Sequence, residues 1–251
     1  APIRLDGEGE VYMTTDGFIV QPLEFPGGDI GSLAVNGTVN DLAVSGATPL
    51  YLSLNAFIEE GLEIETLDRI VASLAKAARV AGVQVVAGDT KVLRRGEGGG
   101  LYLATTGIGI RRGPRLGLDN ILDGDAVLVS GPVGDHGIAV MLAREEFGLH
   151  GELRSDAASV LPLTQAAATV PGLRFMRDPT RGGLAAVLNE IALQSGVGVL
   201  VQEDAIPVAE AVKGACELLG LDPLYVANEG KLVCFCEAED AERLLAIMRK
   251  H

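Results

Sequence analysis

The sequence predicts a mixed α/β and α+β protein built as two domains, on three observations. Strand-like apolar runs alternate with helix-like periodic runs from VYMTT (11–15) to a last helical stretch at 238–249. The clearest helix, 66–81, sets Leu67, Ile70, Val71, Leu74, Ala75 and Ala78 on one face and stops at Gly82. The alternation breaks at RRGPRLGLDN (111–120), which puts a boundary between domains 1–112 and 113–251.

The elements follow in order. The strand 11–15 runs into Asp16. FPGGDIG makes a turn in which Asp29 suits the N-cap of a helix over 30–46. Ala34, Gly37 and Ala43 in that helix allow close packing or the close approach of a ligand. LYLSLNAFI (50–58) suits a buried strand, and VQVVAG (83–88) is another that ends in GDTK. RRGEGGG is a hairpin loop and LYLATTGIGI its returning strand. Beyond the boundary come strand 126–131, a helix near 136–147 and a proline-punctured helical stretch at 155–170. Strand RFMRD, helix 182–195, strand VGVLVQ, a helix near 207–219, strand KLVCFC and helix 238–249 complete the chain. No short repeat is present.

Composition excludes several functions. Apolar residues make up 48 % of the 251, enough for a substantial core. Twenty basic against 34 acidic residues give a net charge of −14, which repels phosphate backbones and argues against nucleic acid as a partner. No run of roughly 18 apolar residues suggests a membrane span. APIRLDGEGE lacks a signal pattern, and three cysteines do not form a disulfide framework. A cytoplasmic location is expected.

Four aspartates sit in short Gly/Thr/Asn contexts: Asp16 in TTDG, Asp41 in NDLAVSGA, Asp89 in GDTK and Asp178 in DPTRGG. Carboxylates joined by substrate phosphates suit Mg²⁺, which takes oxygen ligands and keeps waters. GDTK presents the Asp89 carboxylate, the Thr90 hydroxyl and the Lys91 ammonium together. Alone, it fits a solvated turn as well as a phosphate site. Asn40 and Asp41 lie within an apolar helical stretch, facing either water or a site. In DPTRGG, free N–H groups near Gly182 can bind an anion and Arg181 can add a forked donor, or the segment is an ordinary helix cap. NEGK (228–231) reads as a turn, and His136 in GDHG reads as a cap or surface residue. His150 and His251 have no supporting context. Cys216, Cys234 and Cys236 read as small buried hydrophobes. There is no GxxxxGK[ST] loop, and GIGIRRG is not GxGxxG.

In order, FPGGDIGSLAVNGTVNDLAVSGATP, GDTKV, GDHG, DPTRGG and NEGK resemble the HypE family of hydrogenase-maturation proteins, over nearly the whole chain. That family is related to aminoimidazole ribonucleotide synthetase, selenophosphate synthetase and thiamine monophosphate kinase. The resemblance implies a PurM-like fold in which an N-terminal α/β sheet closes a dimeric barrel with a second subunit and a C-terminal α+β domain packs against it. It implies ATP and Mg²⁺, the metal held by Asp16, Asp41, Asp89 and Asp178. Asn40, Thr90, Arg181 and Gly182 fall to the phosphates, and Lys91 and Glu229 to catalysis.

The implied reaction is the ATP-dependent dehydration of a carbamoyl group on the chain's own C-terminal cysteine to a thiocyanate. The cyanide serves the [NiFe]-hydrogenase centre. The implied partners are a second copy of the chain, the carbamoyltransferase HypF and the HypC–HypD complex. Members end in a short cysteine-bearing tail and begin with a Gly-rich segment before the position of Asp6, whereas this sequence runs from APIRLD to ERLLAIMRKH. As written it is not expected to complete a turnover, since none of its three cysteines lies on a terminal tail. The rival readings are another amide-activating ATP enzyme of the same superfamily and a non-catalytic ATP-binding scaffold.

Overall fold

A computed structural model describes residues 3–5, 8–144 and 152–251. The N-terminal half is a four-stranded sheet backed by two helices. Its elements are β1 (Glu10–Phe18), β2 (Glu24–Phe25), β3 (Gly28–Asp29), α1 (Ile30–Val44), β4 (Thr48–Glu59), α2 (Ile64–Ala81), β5 (Gln84–Leu93) and β6 (Leu101–Arg111). The sheet order is β1-β6-β4-β5, with β4 and β5 parallel and the other pairs antiparallel.

The helix α1 forms because Asp29 caps it. The Asp29 carboxylate accepts the N–H groups of Gly31 and Ser32, and Ser32 Oγ accepts the Asp29 N–H in return. Its small residues serve packing. A Cβ at Gly31 would sit 2.5 Å from the Ile70 carbonyl of α2, and one at Gly37 would sit 2.7 Å from the Phe18 ring. The helix α2 ends at Gly82 in the left-handed conformation (φ +71°), as the periodic pattern predicts.

Helices cover one face of the sheet, and the pairing decides which residues point to it. Asp16 pairs with Thr105, Thr105 with Leu54 and Leu54 with Gly88, so these four form one row across the strands. Paired residues share a face. Thr105 is buried and its hydroxyl bonds that of Thr38 on α1, so the row faces the helices. Asp89 and Lys91 pair with Asn55 and Phe57 and therefore point to the opposite, open face. Val11 and Met13 of β1 are also exposed there, Met13 to 73 %.

The C-terminal half holds a three-stranded antiparallel sheet of β7 (Ala126–Val129), β8 (Leu173–Arg177) and β9 (Val233–Cys236), in the order β7-β9-β8. Around it lie α3 (Asp135–Ala143), α4 (Leu161–Ala167), α5 (Gly183–Ser195), α6 (Glu210–Leu219) and α7 (Ala241–Met248). Cys234 and Cys236 point into a core shared with the first half, and Phe235 points to a second cluster with Leu184 and Leu188. All three cysteines are free and buried, as their apolar context predicts.

Several expectations need correction. Asp16 and GDTK lie inside strands rather than at strand ends. The β1–β6 ladder runs unbroken through Phe18, and the β4–β5 ladder continues to Glu59 and Leu93. VGVLVQ (197–202) is no strand: it makes no ladder with a neighbouring strand, and Leu200 is 87 % exposed. The stretch 155–170 is helical only over 161–167, where Pro162 occupies the first turn. The helix near 136–147 ends at Ala143; the expectation beyond residue 144, like His150 and Asp6, lies outside the described residues.

One stability effect follows from the cap. Asp29→Ala removes the acceptor of two N–H groups and should lower stability by about 1 kcal/mol, read from the urea midpoint, with Asp29→Asn keeping most of it. An unchanged midpoint in the alanine variant would mean that the core alone holds α1.

Candidate active site

A cleft of about 1040 Å³ opens between the two halves. Its walls are β1, α1, the start of α3, the end of β8 and the loops that carry DPTRGG and NEGK.

Three carboxylates from separate elements converge in it: Asp16 from β1, Asp41 from α1 and Asp178 from the loop after β8. Asp41 accepts a 2.8 Å hydrogen bond from Thr14 Oγ1. Burial pushes its pKa up to about 6, with the charges of Asp178 and Asp16 adding to the rise. Burial likewise raises that of Asp178, only 7 % exposed, and Asp16 contributes again. Arg181 reaches across from the second half, its Nη2 3.6 Å from Asp16 Oδ1.

Among the described residues no group of three or more acidic, histidine or cysteine side chains is spaced to hold a metal alone. The mutual repulsion of Asp16, Asp41 and Asp178 still fits a hard divalent cation that takes phosphate oxygens and waters for its remaining positions.

NEGK is where the walls are tied together. The Asn228 amide, fully buried, donates to the carbonyls of Pro179 and Val226 and accepts the Gly134 N–H at the start of α3. Asp156 accepts the Glu229 N–H at 3.2 Å. Lys231 Nζ lies 2.9 Å from Asp156 Oδ2 and 4.0 Å from Asp135 Oδ2, all three side chains being largely buried. The first contact is charge to charge rather than an aligned hydrogen bond, since Oδ2 of Asp156 has no hydrogen-bond partner of good geometry. Gly230 is required here, because a Cβ would stand 2.0 Å from the Asp156 carbonyl oxygen.

This frame turns Glu229 toward the cleft. Its pKa is pushed up to about 8, first by burial and then by the negative charges of Asp156, Asp178 and Asp16. A carboxyl that titrates near neutrality is suited to proton transfer. His136, in the first turn of α3, lines the same cleft with Nε2 3.9 Å from Glu229 Oε1. Burial depresses its pKa, so the contact joins a neutral imidazole to a carboxyl and is no ion pair.

The structure brings Asp16, Asp41, Asp178, Arg181 and Glu229 together, with Gly182 following Arg181 at the start of α5. It does not bring Asp89, Thr90 and Lys91 to them within one chain. Asp89 and Thr90 border a shallow depression along β4 and β5, and Lys91 pairs with Asp89 at 2.8 Å in the open. Asn40 is corrected outright as a phosphate ligand. Its NH₂ donates to the carbonyls of Ala158 and Glu229, its oxygen accepts the Val160 N–H, and it is 1 % exposed. It joins the two halves and has no donor left for a ligand.

Sequence reasoning missed the part played by His136, which it read as a cap or surface residue, and by Asp156, which carries no motif. The one available signal was that GDHG holds one of three histidines.

Comparison with known proteins places the fold and the sequence in a known family. The family models for AIR synthase related protein match at residues 1–111 (N-terminal domain) and 123–251 (C-terminal domain). The carbamoyl dehydratase HypE of Cupriavidus necator is 53 % identical over 253 residues, covering 100 % of this chain and 72 % of that protein. The crystal structure of hydrogenase maturation protein HypE in complex with ATP superposes with a TM-score of 0.94 at 48 % identity, over 98 % of this chain and 74 % of that one. A HypE–HypF complex gives a TM-score of 0.93 at 49 % identity, over 96 % of this chain and 80 % of that one. The chain belongs to the AIR synthase related proteins and, among them, to the carbamoyl dehydratase HypE family.

Proposed function

We propose that the cleft binds Mg²⁺–ATP and uses it to dehydrate a carbamoyl group on a cysteine sulfur to a thiocyanate. The observation that carries this reading is the buried Glu229 carboxyl opposite Asp16, Asp41 and Asp178 in one cleft. An amide oxygen is a poor leaving group, and a phosphorylated one is a good one. The protein then has to position the amide, steady charge on the phosphate and accept protons from nitrogen.

Asp16, Asp41 and Asp178 are the residues that would hold Mg²⁺, whose charge neutralises the triphosphate. Arg181 and the backbone at Gly182 bind phosphate oxygens. Glu229 takes protons from the amide.

GDTK enters through a second copy of the chain. Among the described residues one subunit leaves two sheet edges without a neighbouring strand: β1, which carries Asp16, and β5, which carries Asp89, Thr90 and Lys91. Closing a barrel over the open faces sets β5 of one copy beside β1 of the other and covers exposed residues such as Met13. On that seam Thr90, in one row with Ala56, Leu103 and Phe18, shares the face of Asp16 and meets the metal–phosphate complex, while Asp89 and Lys91 reach it from the open face around the edge of β5, Lys91 to stabilise the transferring phosphoryl group. HypF as carbamoyl donor and HypC–HypD as cyanide acceptor complete the reading, consistent with the solved HypE–HypF complex of a relative. Among the described residues no helix is long and apolar enough to cross a membrane.

Complementation tests the shared site. Asp41→Ala and Lys91→Ala should each slow dehydration at least ~10²-fold. Mixed in equal amounts and allowed to exchange subunits, they should regain roughly a quarter of wild-type activity, because half the dimers then hold one intact site. No recovery, or a single 26.0 kDa species by light scattering at micromolar concentration, would refute the shared site.

The raised pKa of Glu229 predicts how stability depends on pH. The folded protein binds this proton more tightly than the unfolded chain does. Stability from this group is therefore full below pH 4.5, falls as pH rises and levels off above about 8. Glu229→Gln should remove that slope. Without nucleotide it should be more stable than wild type at pH 8 by about 1–4 kcal/mol in urea titrations, the gap closing near pH 4. Parallel pH profiles would show that Glu229 is solvated and ionised throughout.

A further inference from the structure

Dehydrating an amide to a nitrile removes both hydrogens from one nitrogen. As the amide oxygen attacks the γ-phosphorus, R–S–C(=O)NH₂ and ATP⁴⁻ give R–S–C(=NH)–O–PO₃²⁻, ADP³⁻ and one proton. As the phosphate leaves, the second hydrogen departs and the products are R–S–C≡N and HPO₄²⁻. A single carboxylate accepts one proton. If Glu229 serves both steps, as the reading above has it, it must be emptied between them.

The groups that face Glu229 from each packed element limit where that proton can go. Asp16 from β1 and Asp178 from the loop after β8 are assigned to the metal. Arg181, beside Asp178, carries no free base. Asp156 has one oxygen on the Glu229 N–H and the other beside Lys231 Nζ. From α3 comes His136, with Nε2 3.9 Å from Glu229 Oε1. Its other nitrogen, Nδ1, lies 2.8 Å from Ser155 Oγ, and the ring packs edge-on against Phe25 with centroids 5.6 Å apart. Ser155 Oγ also accepts the Ala157 N–H at 3.0 Å, which fixes the hydroxyl in place. With a proton on Nδ1 donated to Ser155, the Nε2 lone pair is directed toward Glu229. Ser155 is half-buried, so the chain Glu229–His136–Ser155 leads from the cleft toward solvent.

We propose that His136 is the relay that empties Glu229 between the two proton removals. Once the two side chains close their 3.9 Å gap, the first amide proton passes from the Glu229 carboxyl to His136 Nε2; burial makes this step uphill, and it is drawn forward as the imidazolium donates through Nδ1 to Ser155 and on to water. Glu229, ionised again, takes the second proton and gives it to the departing phosphate, which leaves as HPO₄²⁻. The imidazolium then loses its proton past Ser155 to water, which accounts for the one proton released per turnover.

A rapid-quench single turnover separates the steps, with an S-carbamoylcysteine peptide as substrate and ADP and thiocyanate measured in parallel. His136→Gln should form ADP within ~3-fold of the wild-type rate and thiocyanate at least ~10²-fold more slowly, with added imidazole restoring the second step. Ser155→Ala, a milder change, should slow only thiocyanate formation, by ~10-fold. Wild-type thiocyanate rates in His136→Gln would overturn the relay. Equal slowing of both steps without imidazole rescue would do so too, since that marks a merely structural histidine. Glu229→Gln reports on the underlying reading separately. It should abolish both steps, and if both persist at wild-type rates the assignment of Glu229 as base fails.

Discussion

The amide of Asn40 is the interaction on which the rest of the site depends. It sits on the central helix of the first half, yet all three of its hydrogen bonds go to backbone groups of the second. One is to the carbonyl of Glu229, so the bond that joins the halves also fixes the peptide carrying the proposed base. Losing it would leave three backbone groups of the second half without this partner, the buried Val160 N–H at about 1–3 kcal/mol. The cleft geometry is therefore set by main-chain bonds from one amide, with Asn228 tying the start of α3 and the DPTRGG loop to the same point.

Electrostatics explain why so acidic a chain can take a polyanion. Burial together with the charges of Asp178 and Asp16 raises the cost of ionising Asp41, and burial with Asp16 raises that of Asp178; a divalent cation lowers both costs. On the proposed reading, a cleft this negative would favour the metal-bound nucleotide over the free one. Arg181 lies 3.6 Å from Asp16 and is exposed enough to swing toward a phosphate. The pair Lys231–Asp156 plays another part: buried, it anchors the turn, while the Asp156 charge still acts on Glu229.

Much of the fold could be read in the sequence because local signals agreed with the tertiary outcome. The periodicity of 66–81 with its terminal glycine, the Asp29 cap and the alternation of Cys234, Phe235 and Cys236 each had one reading. VGVLVQ failed because an apolar run implies a strand only if a neighbour supplies a ladder, and none of the described strands does. The motif residues Asp16, Asp41, Asp178, Arg181 and Glu229 line one cleft. Asn40 and His136 were misread for one reason: in a short motif, the sequence does not tell which way a polar side chain turns. Asn40 turned into the domain junction and His136 into the cleft. Asp156 left no trace, since its role comes from lying beneath a glycine 74 residues away.

The position of GDTK follows from sheet parity. On a strand a one-residue step reverses the face, so Asp89 and Lys91 cannot share a face with the row that contains Gly88 and Asp16. They also lie at the far edge of the sheet, three strands from β1. No rotation of side chains closes that gap within one chain. A sheet with one open face and two free edges is itself incomplete, because exposed ladder groups and apolar side chains such as Val11 and Met13 favour association. A barrel closed by a second copy, as proposed, would satisfy the edges and set the GDTK strand beside the aspartate strand. Its open faces turn inward, so Thr90, in the row of Ala56, Leu103 and Phe18, is the member of the motif that comes to the face of Asp16, and Asp89 and Lys91 have to reach that face around the edge of β5.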